Sequence, residues 1–160
     1  MTKVANVILY MLHKQTKHLT DKKVSVMLFL IDFNHMKFCG NKIFNDEYIK
    51  LARQPQPTIL NELFEIIANN EELSEDDARL FLIQELLEFV DIEIIKKRDF
   101  VELKFLKLNE EFDESLFLND EMKTIHKIVS TNLETTPRNI ANECFKLEEV
   151  RNAKKGDTVI

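Results

Sequence analysis

The segment from Lys22 to Phe38, KKVSVMLFLIDFNHMKF, limits what this chain can fold into more than any other stretch. Val24, Met27, Leu28, Ile31 and His35 follow helical spacing, while Val26, Phe29, Leu30, Phe33 and Met36 fill the remaining faces. A helix that is apolar on most sides cannot lie at a surface, so the spacing predicts a central helix that other elements must cover. Both ends are marked. Thr20 is placed as N-cap with Asp21 in the first turn, and Gly40, one of only two glycines, stands at the expected C-terminal stop.

A chain of 160 residues is long enough to bury such a helix, and one domain spanning 1–160 is expected. Hydrophobic residues make up 44% and charged residues 31%, the balance of a globular protein, and twelve Phe with no Trp point to a core of Phe, Leu and Ile. The longest apolar run, Val26 to Ile31, is far below the roughly 18 residues that suggest a membrane span, and no signal-peptide cleavage site is evident, so a cytoplasmic location is expected. Cys39 and Cys144 are too few for a disulfide scaffold and read as reduced core residues. The net charge of −6 draws on acidic clusters at Glu71–Asp77 and Glu110–Glu114, whereas basic residues gather only at Lys96-Lys97-Arg98 and Lys154-Lys155. That sign argues against a broad phosphate-binding face, and it suits a basic protein partner.

Around the central helix the spacing predicts an outer helix over Val4–Lys17, with Val4, Val7, Ile8, Met11 and Leu12 on one stripe. Asn41–Asn45 is expected to be extended and Asp46–Arg53 to form a short helix, broken by Gln54-Pro55-Gln56-Pro57. Pro57 suits the first position of a following helix to about Asn69, facing inward with Leu60, Leu63, Phe64 and Ile67. Ser74 and Asp77 open another helix from Ala78 to Phe89. The period then changes to two, and Asp91–Lys96 with Phe100–Leu108 predicts a β-hairpin. After an acidic surface loop at Asn109–Phe117, Asn119 caps a helix bearing Met122, Ile125, Ile128 and Val129. Thr136-Pro137 starts another, bearing Ile140, Ala141, Cys144 and Phe145. The expected class is mainly α (α+β), with one small antiparallel hairpin beside a buried central helix.

Three candidate sites emerge. Asp32, His35 and Cys39, at i, i+3 and i+7, could all face one way as metal ligands, but one helix rarely supplies a whole site. A core thiol and a hydrogen-bonded imidazole are the preferred reading. No catalytic, cofactor-binding or metal-binding residue is therefore assigned, and G-x-S-x-G, H-E-x-x-H and G-x-x-x-x-G-K are absent. The pair of helices over Asp120–Leu147 is similar to a helix-turn-helix, making a DNA-binding regulator the alternative function. However, Arg138 and Lys146 are set against Glu143, Glu148 and Glu149, so nucleic acid is not the expected partner. Phe112, Leu116, Phe117 and Leu118 either cover the core or form an apolar anchor for a protein partner.

Taken together, VANVILYMLHKQTKHLT, then DKKVSVMLFLIDFNHMKFCGNKIFNDEYIKL, then the start at Pro57 and the closing LNDEMKTIHKIVSTNLETTPRNIANECFKLEEVRNAKKGDTVI resemble the Panacea, or SocA-like, antitoxin domain over nearly the whole chain. The chain is a divergent example. The family's Tyr-Gly-Pro-Val is replaced by Arg53-Gln54-Pro55-Gln56-Pro57, and its C-terminal His and Trp fall on Phe145 and Val150. The resemblance implies a non-enzymatic interaction domain, without cofactor, that neutralises a cognate toxin by direct binding in a bacterial or phage toxin–antitoxin or mobile-element system.

Overall fold

A computed structural model describes residues 1–108 and 111–160. The central helix is present as α2, Asp21–Cys39, with the expected ends: Thr20 accepts a hydrogen bond from the Lys23 amide, and Gly40 adopts the left-handed conformation at φ 83°. Val24, Met27, Leu28, Phe29 and Ile31 are essentially inaccessible, so α2 is sheathed as its composition requires. Lys23 is buried too. Its ammonium donates to the Lys17 carbonyl at 2.7 Å, and desolvation draws its pKa down to about 8.

The first helix, α1 (Thr2–His13), is not the outer helix its stripe suggests. Seven consecutive residues, Ala5 to Met11, are buried, including Asn6. The far side of α1 is closed by the segment preceding the fifth helix: the Phe112 ring lies 5.0 Å from Tyr10, and Asn6 Oδ1 accepts from the Asp113 amide. The helix also ends before Lys17, because Gln15 and His18 take positive φ and turn the chain back.

The short helix expected at Asp46–Arg53 is instead strand β1, Tyr48–Lys50, paired antiparallel with β2, Pro55–Pro57. Local propensity is overridden by partners on both sides. Across from β2, the Tyr48 amide donates to the Ile160 carbonyl and the Val159 amide donates to the Tyr48 carbonyl. Both prolines of β2 are tolerated because that strand is an edge. Helix α3 (Thr58–Ala68) begins one residue after Pro57, which serves as N-cap without a side-chain oxygen. Asp46 substitutes from across the turn, accepting from the Ile59 and Leu60 amides.

Helix α4 (Ala78–Leu87) is capped by Asp77, which accepts from the Arg79 amide. The hairpin follows as β3 (Val90–Lys96) and β4 (Val101–Lys107), with Lys96 opposite Val101 beside the turn. Its inner face is buried at Val90, Leu103 and Phe105 and opens toward the tip, where Ile94 and Phe100 are exposed. Asp21, in the first turn of α2, accepts from the Leu103 amide and ties the hairpin to the central helix. Within the expected loop Asn109–Phe117, Asn109 and Glu110 lie outside the described residues, and Glu114–Leu116 forms a 3-10 turn.

Helix α5 (Asn119–Thr131) begins with Leu118 as N-cap, and the Glu121 carboxylate accepts from the Leu118 amide. Helix α6 (Pro137–Phe145) opens as expected on Thr136, whose hydroxyl accepts from the Asn139 amide. A last helix, α7 (Glu148–Asn152), is gripped by the buried Lys50, whose ammonium donates to the carbonyls of Val150 and Ala153 at 2.7 and 2.8 Å. The architecture is mainly α, with two small antiparallel sheets.

Candidate functional site

Asp32 does not join His35 and Cys39. Two helical turns separate it from Cys39, a rise of about 10 Å that rotamers cannot span. Its carboxylate turns instead to the chain leaving α2, where Oδ1 accepts from the Ile43 and Phe44 amides at 2.6 and 3.1 Å. Oδ2 accepts from the Tyr48 hydroxyl at 2.7 Å. Desolvation raises the Asp32 pKa to about 6, against the lowering effect of those three donors, and burial beside Asp32 pushes the Tyr48 phenol well above its ordinary range. This group fixes the route from α2 to β1, and it is a structural clamp.

His35 and Cys39 are one turn apart and meet a third side chain that the sequence reading did not single out for this site, Asp120 in the first turn of α5. The donor atoms of His35, Cys39 and Asp120 all lie within 4.8 Å of one another. His35 is 1% exposed, and its two ring nitrogens have different fates. Nδ1 lies 2.7 Å from the Asn41 carbonyl, which can only accept, so Nδ1 carries the proton. Nε2 has no hydrogen-bond partner and points at Asp120 Oδ2, 3.6 Å away. Leaving such an atom unsatisfied typically costs about 1–3 kcal/mol.

Cys39 is exposed, not a core residue, because the helix ends there and the next residue, Gly40, turns the chain away. Desolvation, a hydrogen bond to Asp120 and the Asp120 charge raise its thiol pKa. For Asp120, desolvation opposes ionisation, yet hydrogen bonds from the Glu121 amide and the Cys39 thiol help hold the carboxyl below its usual range. The second cysteine, Cys144, is the buried thiol, pushed up to about 12 by burial. No signal in the sequence links Asp120 to His35, 85 positions apart, except its place as a first-turn acid on a neighbouring helix.

Of the four residues read as either core cover or partner anchor, Phe112, Leu116 and Phe117 sit against the core. Phe112 and Phe117 stack with ring centroids 5.9 Å apart over α1, and Leu116 packs beside them. Leu118 is 67% exposed. A hollow of about 660 Å³ lies between the α1–α2 connection and the hairpin, lined by Leu12, Leu19, Thr20, Glu102, Phe105 and Pro137 among others. A second hollow shares Thr20, Glu102 and Pro137 and reaches the exposed Phe100. On α6, Lys146 is engaged by Glu143 at 2.8 Å, and Phe145 is faced by Arg53 and Lys50.

The structure is thus a mainly helical domain with a sheathed central helix and, beside its hairpin, a groove lined largely by apolar side chains. The family model for the antitoxin SocA-like, Panacea domain matches residues 27–148, from α2 through the start of α7, and the chain belongs to that family. Neither a curated protein nor a solved structure matches it. None of its helices, among the described residues, is long and apolar enough to cross a membrane.

Proposed function

We propose that this protein is an antitoxin that neutralises a cognate toxin in the cytoplasm by direct binding, as one domain and without chemistry of its own. The observation that carries this reading is membership of the antitoxin SocA-like family across most of the chain. The groove from Leu12 to Phe100 supports a binding role, since a stable interface needs about 800 Å² per partner with an apolar centre. Phe100, 60% exposed at the hairpin tip, and Leu118 are the side chains we assign to the contact.

The test is co-expression with the product of the adjacent gene. A neighbour that arrests growth alone, is rescued by this protein and co-purifies with it is the expected result, with Phe100→Asp weakening both rescue and co-purification. A neighbour that is harmless alone, or that is rescued without any complex forming, overturns the proposal.

A further inference from the structure

His35 is held like a metal ligand awaiting its ion. Its Nδ1–H donates to a backbone carbonyl, which fixes the tautomer, orients the ring and leaves the Nε2 lone pair facing outward. Nε2 is buried without a hydrogen-bond partner, and what it faces is a thiol and a carboxylate, the latter 3.6 Å away. The three donors come from two helices: His35 and Cys39 on the last turns of α2, Asp120 on the first turn of α5. His35 is buried in the core, whereas Cys39 and Asp120 are exposed.

We propose that His35 Nε2, Cys39 Sγ and an Asp120 carboxylate oxygen bind one zinc-class divalent cation, with solvent in the fourth position. Tetrahedral zinc has bonds of about 2.0–2.3 Å to these atom types, which places its ligands about 3.3–3.8 Å apart. The Nε2–Oδ2 distance of 3.6 Å already satisfies that spacing, and small rotations of the exposed Cys39 and Asp120 close the rest. Binding releases the Cys39 proton to solvent, so a thiolate and a carboxylate balance the two positive charges and the imidazole stays neutral. Nitrogen, sulfur and oxygen donors together favour zinc over magnesium or calcium, which take oxygen ligands. The bound ion ties the end of α2 to the start of α5. This site is inferred independently of the toxin-binding reading.

The experiment uses the full chain, reduced and freed of metal by chelation, titrated with Zn²⁺ and separately with Co²⁺. One equivalent of Zn²⁺ is expected to bind with a dissociation constant below about 10 μM and to raise the melting temperature. Co²⁺ is expected to show a thiolate-to-metal absorption band with tetrahedral d–d bands. Cys39→Ser should abolish the thiolate band and weaken Zn²⁺ by more than about 100-fold, beyond the usual effect of losing an outer-shell partner. Because Cys39 is exposed, that variant keeps its circular dichroism spectrum. Asp120→Asn gives a second variant outside the core, with weakened binding expected. Failure of the wild-type chain to bind Zn²⁺, or binding unchanged in both variants, overturns the proposal.

Discussion

Asp32 shows how one side chain can organise a chain reversal. Three buried donors converge on it, so Asp32→Ala strands two amides and a phenol and should cost about 3 kcal/mol in chemical denaturation, or more. Asp32→Asn retains an acceptor for the amides and should cost much less, while removing the titration. Because the folded pKa of about 6 exceeds the ordinary 3.8, the folded state binds this proton more tightly than the unfolded chain does. The stability it contributes is full below pH 3.8 and is lost as pH rises through 6. Between about pH 4 and 7 the wild type should therefore lose up to about 3 kcal/mol relative to Asp32→Asn, read as the pH dependence of the difference in unfolding free energy. A flat difference across that range would mean that Asp32 is not desolvated as its position requires.

Among the elements, residues 112–118, just ahead of α5, work as a lid over α1. Phe117 is 8% exposed and stacked on Phe112, so Phe117→Ala should cost about 3 kcal/mol and lower the melting temperature. The adjacent Leu118→Ser removes only a side chain already in solvent and places a hydroxyl at the N-cap of α5, so it should raise stability by about 1 kcal/mol and not lower it. Period-two and capping signals made the hairpin, α2 and α6 legible beforehand, since each rests on contacts a few residues apart. The lid was not legible as such: an aromatic beside acids reads equally as cover or anchor until the surface beneath it is known. Strand β1 was misread for a related reason. One side pairs with β2, whose two prolines read as a break, and the other with Val159 and Ile160, more than 100 positions away.

Across the whole molecule the two cysteines divide along the boundary between skin and core. In the metal-free protein, native-state alkylation should modify Cys39 alone, since Cys144 is inaccessible on the inward face of α6. Mass spectrometry should show one adduct until denaturant opens the fold, and modification of Cys144 should then track global unfolding. Two adducts under native conditions would show that α6 detaches locally. The candidate metal site belongs to this level as well. Helical spacing placed His35 and Cys39 on neighbouring turns, but only the packing of α5 on α2 brought Asp120 to them, while the chain leaving α2 and Tyr48 claimed Asp32.

Local chemistry along the chain decided which segments would be helix, which would alternate as strand and where helices start and stop, because caps, prolines and apolar period act over a few residues. It also decided that one helix must be buried, since no arrangement leaves Val24 to Phe33 in water. Packing alone decided that α1 would be enclosed, that Tyr48 would lie in a strand and that His35, Cys39 and Asp120 would share a space. Those outcomes depend on surfaces from distant parts of the chain meeting, and no short-range pattern encodes which surfaces meet.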